Sequence, residues 1–109
     1  MTIIEAIKKI ELYSSSFSSA DDFYHHEINF DATMMQFVVI GEAVSRIDSQ
    51  FKEQHPITAH WQQIKNFRNL IAHNYFGIDA EEVWDIIQNH IPSLQKDIST
   101  ILEQTNPTS

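Results

Sequence analysis

Four side chains within Phe67-Arg68-Asn69-Leu70-Ile71-Ala72-His73-Asn74-Tyr75-Phe76-Gly77 are suited to chemistry on a phosphate. Arg68 carries a planar fork of donors that grips phosphate oxygens in pairs. His73, five residues on, has an imidazole able to move protons near neutral pH, and Tyr75 adds a hydroxyl two residues later. Asn69 follows the arginine directly. Arg68 is one of two arginines in a chain of formal charge −8, so a cation at this place stands out. The set suggests work on a phosphodiester.

On a helix, Asn69 and His73 are four apart and share a face, whereas Arg68 to His73 is five residues and about 140° of turn. Arg68 must therefore reach round with its long stem to complete a crescent of donors sized for one phosphate. Cleavage of RNA by its own 2′-hydroxyl needs a base for that proton and an acid for the departing 5′-oxygen. One imidazole cannot hold both roles at once. A symmetric dimer that brings both copies of His73 to one cleft supplies them without a second motif.

Positioning these groups requires helices. Thr2 and Glu5 fit a capping box ahead of a helix over about Ile3 to Tyr13, whose apolar face is Ile3, Ala6, Ile7, Ile10 and Tyr13. Ser14 to Ser19 reads as a connecting loop. Ser19 and Asp22 open a second segment that pauses near Asn29 and Phe30. From Asp31 to about Phe51 the spacing of Met34, Phe37, Val38, Gly41, Val44 and Ile47 predicts the longest and most central helix. Gly41 in its middle costs about 1 kcal/mol of propensity and implies close approach of another backbone, from the same chain or a second subunit. Glu42 beside it reads as a solvated helical carboxylate or as a group facing the cleft.

Pro56 ends that element, and a helix from near Thr58 to about His73 carries Trp61, Ile64, Phe67 and Ile71 inward. Asn74 suits a left-handed helix terminus, which puts Tyr75 just past the last turn. Asp79 caps a further helix with Val83, Ile86 and Ile87 buried, and Pro92 permits a kink or a fresh start. The last helix, with Leu94, Ile98, Ile101 and Leu102 inward, runs to about Glu103. The expected fold is all-α: one antiparallel bundle of four to five helices over residues 1–103, with a flexible tail at 104–109.

At 109 residues, with two glycines and three prolines, the chain has room for one ordered core. It has no cysteine, which excludes disulfides and fits a reducing, cytoplasmic setting. Lys8 and Lys9 interrupt the early apolar run, so neither a signal peptide nor a membrane span is expected. Acidity runs against nucleic-acid binding, which usually shows a basic face; the cations that could cluster locally are Arg46, Lys52, Lys65 and Arg68. His25 and His26 are adjacent and cannot share one helical face, and there is no His-Glu-x-x-His spacing, so no metal or other cofactor is expected. The tryptophans and phenylalanines fall in phase with the apolar stripes and read as core rather than as a base-stacking platform.

With Trp61 before it, Gly41-Glu42-Ala43 upstream and Phe76-Gly77-Ile78-Asp79-Ala80-Glu81-Glu82-Val83-Trp84 downstream, the Arg68-Asn69…His73…Tyr75 stretch resembles the HepT family, the toxin branch of the HEPN superfamily. The resemblance runs from about Ile3 to Leu102. It implies a metal-independent endoribonuclease toxin with a composite cleft at a homodimer interface. Arg68 would stabilise charge at phosphorus, His73 would move protons, and Asn69 would orient His73 or substrate. It also implies a partner, an MntA-like nucleotidyltransferase antitoxin, that inactivates the toxin by transferring AMP to Tyr75. Asn74 stands where relatives often have Asp, and Thr58-Ala59-His60 where they often place a proline. The rival readings are a non-catalytic helical module that docks a nucleotidyltransferase or a nucleotide, and, more remotely, a structural dimer with no ligand.

Overall fold

The computed structural model describes residues 2–47, 49–54 and 58–105. Helix α1 spans Thr2–Ser14, α2 Ala20–His25, α3 Glu27–Ser45, α4 Ser49–Gln54 and α5 Thr58–Asn74. A 3₁₀ turn at Tyr75–Gly77 leads to α6 (Ala80–Asp85), a π turn (Ile86–His90) and α7 (Ile91–Thr105). No strand occurs among the described residues. The fold is all-α, as the apolar periodicity predicts. The expected Thr2 cap, the inward Phe51 and Leu102, the terminator Pro56, Lys52 and tail residues 106–109 lie outside the described residues and side chains.

Helix α3 sits at the centre, packed against α1 on one side and α5 on the other. Asn29 Nδ2 donates to the Tyr13 carbonyl at 2.9 Å, joining the start of α3 to the end of α1. Ile3 meets Val38, Val39 and Glu42 around one hollow at the opposite end, so the two helices run antiparallel. Ile3, Ile7 and Ile10 from α1 bury against Phe30, Met34, Phe37, Ile40 and Val44 from α3. Trp61 and Ile71 close the α5 side, and Val83, Ile87, Leu94 and Ile98 close the other. Thr33 and Ser14 are buried polar residues whose hydroxyls donate to carbonyls four residues back, at 2.8 and 2.7 Å, so neither group is orphaned.

Local chemistry explains most boundaries. Ser19 Oγ accepts from Asp22 N at 3.2 Å and Asp79 Oδ1 accepts from Glu81 N at 2.9 Å, the two caps expected from sequence. The break expected near Asn29 falls instead at His26, whose non-helical backbone separates α2 from α3. The central helix therefore begins at Glu27 rather than Asp31. It also stops at Ser45, short of Phe51: Arg46 N–H turns back to the Ala43 and Val44 carbonyls, a tightening that neither glycine nor proline announces. Pro92 stands in the first turn of α7, which opens at Ile91 after the π turn, in keeping with the fresh start expected there. Ile91 N–H bonds to the Ile86 carbonyl, and this wide turn relaxes the ladder just before a residue that cannot donate.

Ile7 is fully buried between α1 and α3. Ile7→Ala is expected to cost about 2–5 kcal/mol, read as a lower urea midpoint with an unchanged slope.

Candidate active site

Two carboxylates of α3 face two donors from α5 and the turn after it. Asp31 and Glu42 are eleven residues apart, about three helical turns, and so lie on one stripe of α3. Arg68 and Tyr75 are seven apart, about two turns, on one stripe of the antiparallel neighbour. Arg68 Nη2 donates to Glu42 Oε1, and the Tyr75 hydroxyl donates to Asp31 Oδ1. The long arginine and tyrosine side chains take up the difference in spacing.

Gly41 makes the first of these pairings possible. A Cβ placed there would overlap Arg68 Cβ and come within 2.5 Å of its Cγ. The close approach inferred from a mid-helix glycine is thus made by the neighbouring helix α5 of the same chain, through the stem of Arg68. Glu42 is accordingly paired with a cation rather than merely solvated. The pair is only part-buried, at 35% exposure for Arg68 and 40% for Glu42, so it is worth no more than about 1 kcal/mol and acts mainly to aim the guanidinium. Arg68 Nη1 also donates to Asn69 Oδ1 at 3.0 Å. Asn69 thereby steadies Arg68, and no hydrogen bond joins it to His73 among the described residues.

His73 lies one turn on, off the α3-facing stripe, and is exposed. It makes no hydrogen bond or ion pair among the described residues, so both ring nitrogens stay open to a ligand. Within the chain Arg68 is turned toward α3, and the reach round the helix expected from sequence is not made. Asn74, expected to be left-handed, has φ −149° and ψ 52°. No described residue has positive φ. The chain instead turns through a 3₁₀ step closed by Ile78 N–H on the Tyr75 carbonyl at 3.3 Å. A Cβ at Gly77 would meet the Asn74 side-chain amide, which would have to move aside.

The chain matches the family model described as ribonuclease HepT-like over residues 3–101, which takes in α1, α3, α5 and the whole candidate site. The chain belongs to the HepT-like ribonuclease family. A candidate RNase of Caldanaerobacter subterraneus subsp. tengcongensis is 30% identical over 94% of this chain and 83% of its own length. A protein of Thermococcus cleftensis named as a probable ribonuclease HepT is 32% identical over 85% of this chain and 83% of its own. The chain spans 45% of a third relative, from Methanocaldococcus jannaschii, named both as a gamma-glutamylcyclotransferase and as a candidate RNase, with 29% identity. No solved structure matches.

Among the residues that sequence reading missed, Asp31 matters most to this HepT-like site. Burial of Tyr75 raises its phenol above the ordinary value near 10, and the hydrogen bond to Asp31 and its negative charge add to the rise, with Tyr24 contributing less. No local pattern pairs residues 44 apart; only the eleven-residue spacing to Glu42 hints that Asp31 shares its stripe. Phe76 was also misassigned, since it is 99% exposed rather than core.

Two outcomes are expected. Gly41→Ala should destabilise, because Arg68 Cβ is fixed to the α5 backbone and relief requires α3 and α5 to part. The overlap costs about 1–3 kcal/mol, at the upper end here, and exceeds the helix-propensity gain of about 1 kcal/mol; a thermal melt reads it. Asp31→Asn should bring the Tyr75 titration down toward 10 but not fully, since burial remains, as followed by ultraviolet difference spectra against Tyr75→Phe. The sign follows from linkage: above pH about 10 the unfolded chain releases this proton while the folded chain keeps it, so stability falls as pH rises.

Proposed function

We propose that this protein is a cytoplasmic, metal-independent endoribonuclease that cuts RNA at a cleft formed by two copies of the chain. The observation that carries the reading is an exposed, unengaged His73 on the same helix as an Arg68 held by Glu42, in a chain that belongs to a ribonuclease family. One His73 accepts the proton of the ribose 2′-hydroxyl as that oxygen attacks phosphorus. The other donates a proton to the departing 5′-oxygen. The 2′-oxygen-to-phosphorus bond forms as the 5′-oxygen-to-phosphorus bond breaks, leaving a 2′,3′-cyclic phosphate and a 5′-hydroxyl. Arg68 neutralises charge developing on the phosphoryl oxygens. Asn69, and Glu42 through its ion pair, hold the guanidinium ready.

The same reading makes the protein the toxin of a toxin–antitoxin pair, restrained by an MntA-like nucleotidyltransferase that places AMP on Tyr75. A raised phenol pKa means little phenolate at neutral pH, so transfer needs a base, and Asp31 already accepts from that hydroxyl. Attached AMP would bring an anion close to His73 and Arg68 and fill the cleft. Two observations favour the alternative, a non-catalytic docking module: the net charge is −8 and the site's guanidinium is already neutralised by Glu42.

Purified protein incubated with labelled RNA in EDTA is expected to yield cyclic-phosphate ends. His73→Ala should lower the rate by about 10²–10⁴-fold and Arg68→Ala by about 10²–10³-fold. Equal cleavage by all three proteins means a contaminant and removes the enzyme reading. Separately, a partner transferase with ATP and magnesium should label wild type and leave Tyr75→Phe blank.

A further inference from the structure

Phe76 has no place in the bundle. It is 99% exposed, directly after Tyr75 and three residues after His73. Of the other exposed large hydrophobics among the described residues, Tyr24 at 48% packs edge-on against Phe30, and Leu12, Ile28, Met35 and Leu70 have no aromatic ring. The ring of Phe76 meets its neighbour in the chain. It stands edge-on to Tyr75 with centroids 5.6 Å apart, and Tyr75 is tied by its hydroxyl to Asp31. The 3₁₀ turn, closed by Ile78 N–H on the Tyr75 carbonyl, carries the backbone beneath it. A solvent-facing aromatic ring therefore sits at the lip of the candidate site.

We infer that Phe76 is the stacking platform for a base of the RNA substrate next to the scissile linkage. The inference rests on the ribonuclease reading above. Two physical considerations favour a base over a protein surface as its occupant. The chain is strongly acidic and its Arg68 is already paired, so affinity for a polyanion must come largely from contacts that do not depend on charge. Stacking on an aromatic ring is such a contact, and every base has a face to offer. Reach is adequate as well: three residues place the Cα atoms of His73 and Phe76 at most about 11 Å apart, close enough for a base flanking the reacting phosphate.

The test compares Phe76→Ala, Phe76→Leu and Phe76→Trp with wild type in RNA cleavage. Phe76→Ala and Phe76→Leu are expected to raise KM by about tenfold with kcat changed less than threefold, and Phe76→Trp to retain or lower KM. The wild-type to Phe76→Ala ratio should hold between about 50 and 200 mM salt, since no phosphate contact is lost. In the double variant His73→Ala, Phe76→Trp, a short oligonucleotide should quench the added tryptophan signal relative to His73→Ala alone. Wild-type KM in Phe76→Leu, or fluorescence unmoved by bound RNA, overturns the inference. So does a monomer by sedimentation for Phe76→Ala together with lost kcat, which would make the ring a contact between copies. Absence of cleavage by wild type sinks the ribonuclease reading instead, while quenching in the double variant would still establish stacking.

Discussion

An arginine stem laid over a glycine sets the geometry of this protein. Because Gly41 has no Cβ, α5 approaches α3 closely enough for the Arg68 side chain to run across the groove and end on Glu42. That contact fixes how α5 is rotated about its axis. With Arg68 facing α3, Tyr75 two turns on faces it too and meets Asp31, whereas His73 is carried round to solvent. A bulkier residue at position 41 would change the rotation, and with it which of the reactive groups are sheltered and which are free.

The arrangement divides charge and proton chemistry between two faces of one helix. On the side facing α3, carboxylates hold a guanidinium and a phenol in defined places, and part of the chain's acidity is taken up here. On the open side, His73 is uncommitted. In the proposed reaction, a phosphate arriving near Arg68 competes with Glu42, and the half-exposed state of that ion pair keeps the competition feasible, since solvent screens the carboxylate's hold. In the proposed dimer the second copy completes the acid–base pair that one chain lacks. The tight turn after α5 adds Tyr75 and Phe76 to the same rim, one tied inward and one facing out.

Much of this was legible before any coordinates. The three- and four-residue apolar steps of α1, α3, α5 and α7 mark the core, because a helix buries a stripe and the stripe is written at its own period. Ser19 and Asp79 mark helix starts through donors that only a side-chain oxygen can satisfy. Gly41 signals a close approach, though not its partner. Other features were hidden for definite reasons. The ends of α3 at Glu27 and Ser45 depend on backbone turns at His26 and Arg46 that carry no glycine or proline signal. Asn74 avoids the left-handed region because the 3₁₀ turn that follows already redirects the chain.

The amino-acid order by itself determined an all-α fold, the candidate residues Arg68, Asn69, His73 and Tyr75, and the family to which they point, since periodicity and motif spacing are local properties. Only the tertiary structure decided that Arg68 pairs with Glu42, Tyr75 with Asp31, and that Phe76 stands in solvent. Those outcomes depend on the rotation and register of two helices packed side by side. Such quantities are set by steric fit between residues 26 to 44 positions apart, which no local pattern in the chain records.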